Sequence, residues 1–162
     1  QWLWKSDTSS DETVGHYLAY ALYFDLVADD EEKEIIRDKI RLITDRMIRD
    51  DYYLLDLDGK PTRWGNWNES YYRSAEGAYE QALRSLELLS FLKTAYHITG
   101  DEPYQSEYLK LVARGDIEQL SKYRRWESAF VEINYSDDEL YFLSVLPLML
   151  YERDSELRDG YR

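Results

Sequence analysis

The sequence predicts an all-α fold made of antiparallel helical hairpins, in which a helix apolar on every side alternates with one that is apolar on a single face. Three observations carry that expectation: the alternation itself, a lopsided set of connections, and a four-residue motif that recurs near the two ends of the chain. About three hairpins are expected, the last one incomplete, with a small β-hairpin in one long loop.

The first helix, residues 11–28, carries Val14, Leu18, Ala21, Leu22 and Phe24, with Tyr17, Tyr20 and Tyr23 between them. A helix apolar all round packs on more than one side. Residues 31–49 differ. Ile36, Ile40, Ile43 and Met47 recur at helical spacing, while Glu32, Lys33, Arg37, Arg41 and Asp45 fill the other side, which describes an outer helix. Residues 52–60 then read as a small β-hairpin turning at Asp58-Gly59.

The pattern repeats. Residues 85–97 hold Leu86, Leu88, Leu89, Phe91, Leu92 and Ala95 and form a second buried helix. After Gly100, Asp101-Glu102-Pro103 is a helix start with proline in the first turn. Tyr104, Tyr108 and Leu111 make one stripe there, a second outer helix. Residues 137–151 are a third buried helix, expected to kink at Pro147. Residues 155–161 open a third outer helix.

Ser9-Ser10-Asp11-Glu12 matches Ser136-Asp137-Asp138-Glu139, each spaced as a capping box at a helix start. Buried helices also end on one theme, an aromatic followed by an acid that caps the next helix: Phe24 and Asp29, Tyr96 and Asp101, Tyr151 and Asp154. Links from buried to outer helices are short, near residues 28–30, 98–101 and 152–154. The return links, 51–74 and 115–134, are long, and long ordered loops usually have work to do. An array of parallel hairpins places all long links at one end, together with the starts of the buried helices. That end gathers Trp2, Trp4, Trp64, Trp67 and Trp126 beside Asp7, Asp11, Glu12, Asp137, Asp138 and Glu139.

Composition narrows the partners. The 162 residues include 33 acidic and 20 basic side chains, a formal charge of −13 that repels phosphate backbones and anionic lipid surfaces. Nucleic acid and membrane are therefore not expected partners. There is no cysteine, so thiolate chemistry and disulfides are excluded, while the compartment stays open, with periplasmic or extracellular favoured over cytoplasmic. No cofactor is expected, because no phosphate loop, nucleophile elbow or dinucleotide fingerprint occurs. No metal is expected either. Asp56-Leu57-Asp58-Gly59 begins like a calcium loop, but Lys60-Pro61 follows it. The two histidines, His16 and His97, are too few and too separated for zinc.

The candidate chemistry lies at the long-loop end. Glycoside hydrolysis needs a carboxylic acid and a carboxylate about 5 to 9.5 Å apart. Asp11, Glu12, Asp137 and Asp138 are the candidate pair members, and His16, one turn beyond Glu12, could orient it. Capping alone would explain Glu12, yet it does not require Asp7, Asp11, Asp137 or Asp138. Trp64-Gly65-Asn66-Trp67 suits a sugar-stacking platform, with Arg63 and Asn66 as hydrogen-bond partners and Trp126, Asn134 and Asp7 on the same rim. The alternative for those rings is plugging the loop onto the helices.

Buried helices alternating with amphipathic ones, joined by Tyr96-His97-Ile98-Thr99-Gly100-Asp101, resemble the (α/α)6-toroid superfamily. The segments from Trp4 to Glu12 with Gly15-His16-Tyr17, from Asp58 to Gly65, and from Asn134 to Glu139 look like uncharacterised bacterial members. The resemblance implies a single toroid-like domain over 1–162, part of a larger protein, that binds or acts on a saccharide as glycoside hydrolases do. Two alternatives stand beside it. One is a non-catalytic helical-repeat module that binds a glycan or protein, or only packs against a second copy or the missing half of its toroid. The other is a polysaccharide lyase or sugar epimerase, for which His16 or Tyr17 would be the base.

Overall fold

The computed structural model describes residues 6–123 and 135–161. In chain order the elements are α1 (Ser10–Leu26), α2 (Asp30–Arg49), β1 (Tyr53–Leu55), β2 (Pro61–Asn66), α3 (Glu69–Tyr72), α4 (Ala75–Thr99), α5 (Glu102–Arg114), α6 (Asp116–Leu120), α7 (Ser136–Tyr151) and α8 (Ser155–Asp159). The protein is all-α with one two-stranded antiparallel hairpin. Gly59, at φ +77°, supplies the left-handed turn between the strands. Among the described residues no helix is long and apolar enough to cross a membrane.

Helix starts follow local chemistry. Ser9 and Glu12 close a full capping box on α1, and Asp29 and Glu32 close one on α2. Ser74 caps α4 and Asp154 caps α8. The second Ser-x-Asp-Glu motif behaves differently from expectation. Tyr135 is the N-cap of α7 and makes no side-chain cap, and Ser136 is already helical, so the letters repeat but the capping box does not. Asp101 holds the N-cap position of α5 without a cap bond, because its carboxylate is taken by Arg41 at 2.8 and 3.3 Å. Gly100, at φ +73°, ends α4. Pro147 lies inside α7, which runs through it from Ser136 to Tyr151.

The helix α4 organises the molecule. It begins ten residues before the apolar run that announced it and packs on α1, α2, α3, α5, α6 and α7. The helices α1 and α7 also touch each other, so the three inner helices form a closed triangle, but only α4 is buried on nearly every side: Tyr23 and Leu26 of α1 and Phe142, Leu146 and Leu150 of α7 are exposed. Its centre is Tyr17, Ala21, Leu86, Leu89, Phe91 and Leu148. Phe91 lies between Tyr17, stacked at 4.6 Å, and Trp67, edge-on at 5.4 Å. The outer helices α2 and α5 lay single stripes against α4: Ile36, Ile40 and Met47 from one, Tyr104, Tyr108 and Leu111 from the other.

At their C-terminal ends the three inner helices share one carboxylate. Asp25 of α1 meets Nε2 of His97 from α4 at 2.8 Å and accepts the hydroxyl of Tyr151 from α7 at 2.8 Å. The His97 and Tyr151 rings stack at 3.8 Å. A buried group ties α4 to the outer layer: Lys93 pairs with Glu152 at 2.7 Å, and Tyr108 donates to Glu152 at 2.6 Å.

Candidate functional site

The starts of the same three helices meet around an open cleft of ≈ 820 Å³. Ser9, Ser10 and Asp11 enter from α1 and its cap; Ser136, Asp137 and Leu140 from α7; Arg63 and Trp64 from β2. Most of the remaining wall is the first three turns of α4, including Glu76, Tyr79, Glu80 and Arg84. Parallel inner helices therefore deliver their first turns to one end and their last turns to the Asp25 clasp at the other.

The strand that carries Trp64 is held by Asp7. Its carboxylate accepts the Arg63 N–H at 2.7 Å, while its own N–H donates to Asp56 at 3.0 Å. The Arg63 guanidinium lies 4.3 Å from the centre of the Trp64 indole, a cation–π contact, and the indole keeps 36% of its surface exposed. Tyr79, 46% exposed, is a second ring in the cleft wall.

Behind the cleft runs a buried ionic chain. Trp67 donates its indole N–H to Glu87 at 2.7 Å. Glu87 accepts Arg84 at 3.0 Å, and the other side of the same guanidinium donates to Glu80 at 3.1 Å. Burial pushes the Glu87 carboxyl above the usual carboxylate range, against the pull of Arg84 and of the indole N–H. Asp137 is also raised, first by burial and then by Glu80, Asp11 and Asp138, with Arg84 opposing. A carboxyl raised in this way keeps its proton to higher pH and can donate it.

The structure brings together Asp11, Asp137, Arg63 and Trp64. Among the described residues, the other expected ones do not line the cleft. Trp67 is fully buried, so it plugs the loop onto α4 and is no stacking platform. Asn66 is buried and donates to the Arg63 carbonyl at 2.9 Å. Glu12 accepts the Ser9 N–H at 2.8 Å and the Ser9 hydroxyl, which is capping. His16 is exposed on α1 and stacks on Tyr20 at 6.2 Å. Asp138 accepts the Tyr123 hydroxyl at 2.9 Å. Tyr17 is buried against Thr44 at 2.7 Å, so neither base named for a lyase faces the cleft. Trp2, Trp4, Trp126 and Asn134 lie outside the described residues.

No family model, curated protein or solved structure matches the chain. The site therefore rests on its own geometry. Among the described residues no group of three or more His, Asp or Glu is placed to hold a metal ion.

Sequence reading missed the contribution of α4. Glu76, Glu80, Arg84 and Glu87 recur at spacings of four, four and three, one face of a helix. That charged stripe entering an apolar helix was the available signal. Buried charge is uncommon unless paired, and here Arg84 pairs with Glu80 and Glu87 while Trp67 donates to Glu87.

Proposed function

We propose that this is a carbohydrate-active protein, glycoside-hydrolase-like and built as part of an α/α-toroid, whose cleft binds a saccharide. One observation carries the reading: the Asp11 and Asp137 carboxyls line the same open cleft as the Trp64 ring. Aromatic faces pack on the apolar faces of sugars, and carboxyl groups bind hydroxyls and move protons.

In the catalytic form, Asp137 donates its proton to the glycosidic oxygen as the bond from that oxygen to the anomeric carbon breaks. Water adds to the anomeric carbon and gives up a proton to Asp11. A reducing-end assay across an oligosaccharide panel, run on a glycan found by array binding, tests this. Asp137→Asn lowers turnover by about 10²–10⁴-fold, the usual size of general-acid catalysis. Unchanged turnover ends the catalytic assignment, and an array without any bound glycan ends the saccharide reading.

A second reading is a non-catalytic helical-repeat module. It is favoured by Phe142, Leu146 and Leu150, which repeat every fourth residue on α7 and are 73%, 41% and 54% exposed. Such a stripe is material for further helix packing, with a second copy or other helices. Light scattering separates the cases: a monomer at high concentration argues against self-pairing through this face.

A further inference from the structure

We propose that the cleft selects saccharides bearing free amines over neutral or acidic ones, an inference that rests on the saccharide reading above and narrows it to a substrate class. The argument starts from what the cleft's cations are already doing. Arg84 is 5% exposed, and its Nε and one terminal nitrogen are committed to Glu80 and Glu87. Arg63 lies over the Trp64 ring. Among the described residues no ion pair uses Asp11, Glu76 or Asp137, although all three line the cavity.

Opposing fields do not cancel this. The starts of α1, α4 and α7 contribute roughly half a positive charge each, less than the acids in and beside their first turns: Asp11, Glu12, Glu76, Glu80, Asp137, Asp138 and Glu139. The excess acids repel one another, as the upward push of Glu80, Asp11 and Asp138 on Asp137 shows. A cation entering the cleft relieves that repulsion.

Two further observations choose the kind of cation. No three of these acids come together tightly enough to hold one metal ion, so the complement is an extended ligand with spaced charges. The wall also carries two partly exposed rings, Trp64 and Tyr79, and Trp64 already accepts a guanidinium on its face. A glucosamine-type oligomer offers both parts: apolar sugar faces for the rings and ammonium groups for carboxylates. A uronate oligomer would set its carboxylates against Asp11 and Asp137.

Calorimetric titration at about pH 6, where such amines are protonated, tests the inference with a glucosamine tetramer, its N-acetylated form, cellotetraose, a galacturonate trimer and oligolysine. The glucosamine tetramer is expected to bind about tenfold tighter than the N-acetylated one, and to lose that advantage in high salt. Asp11→Asn and Glu76→Gln each reduce the glucosamine tetramer's advantage over its N-acetylated form, and Trp64→Ala weakens both sugars. Equal binding of the N-acetylated tetramer, or tighter binding of galacturonate, overturns amine selection and leaves the saccharide reading standing. If none of the four sugars binds, both fall. Oligolysine bound with no amino sugar bound assigns the cleft to basic peptides and overturns the proposal.

Discussion

Replacing Trp67 by Phe separates two tryptophans, Trp64 and Trp67, that stand three positions apart in the sequence but lie in different environments. Trp67 is fully buried, edge-on to Phe91, and its indole N–H is one of the donors that hold the Glu87 carboxylate. Phenylalanine retains the ring against Phe91 and removes the N–H. A hydrogen bond to a charged group contributes about 1.5–3 kcal/mol, and Glu87, itself without exposure, has no water to replace it. The smaller ring adds about 1 kcal/mol of lost burial and cavity. The expected destabilisation is about 2.5–4 kcal/mol, and at about 2–4 °C per kcal/mol for a chain of this size, Tm falls by about 5–16 °C. Urea unfolding followed by circular dichroism measures the first, and calorimetry the second. Trp64→Ala, by contrast, is expected to stay within about 0.5 kcal/mol of the parent because its ring is partly exposed and contacts the exposed Arg63 side chain. A loss below about 1 kcal/mol for Trp67→Phe would refute the placement of that indole in the core and reopen it as a ligand-facing ring.

Other outcomes follow from the same packing. A methyl at Gly77 would lie 2.0 Å from the Tyr71 carbonyl oxygen, so Gly77→Ala forces α3 away from α4 and costs about 1–3 kcal/mol by denaturant titration. Lys93→Met leaves Glu152 buried without its cation and costs about 3–5 kcal/mol at neutral pH. Burial alone would raise Glu152, but Lys93, the Tyr108 hydroxyl and the Asp154 N–H hold it below its ordinary value near 4.5. Its contribution is thus present above about pH 4.5 and lost as pH falls further, so the gap between parent and Lys93→Met narrows in acid. Asp137 has the opposite sign. Its carboxyl is raised, so its favourable contribution is present below the usual aspartate range and is lost as pH climbs through the raised value. Asp137→Asn should therefore match the parent near pH 3.5 and exceed it at pH 7 in thermal unfolding.

The helical hairpins were legible because burial leaves a periodic trace: Ile36, Ile40 and Met47 face α4, and Tyr104, Tyr108 and Leu111 do the same. The turn at Asp58-Gly59 was legible for a similar reason, since few residue pairs adopt it. Parallel buried helices also announced that Asp11 and Asp137 would share an end. Sequence could not separate Trp64 from Trp67, because the difference lies in which ring finds a buried carboxylate twenty residues away. It also could not show that Ser136 would be spent as a helical residue while Tyr135 took the cap. The charged face of α4 was hidden by its own apolar continuation, which made Leu86 to Ala95 look like the whole helix.

Asp25 gives the bundle a hoop at one rim. Along α4, at 1.5 Å per residue, the distance from Glu76 to His97 is roughly 30 Å, so the cleft rim lies a full helix length from that hoop. Deuterium uptake should then begin at the first turns of α1 and α7 and reach His97 last. A molecule seated between those turns would act as a hoop at the opposite rim, so a ligand that contacts only the rim can slow exchange along the entire length of the bundle.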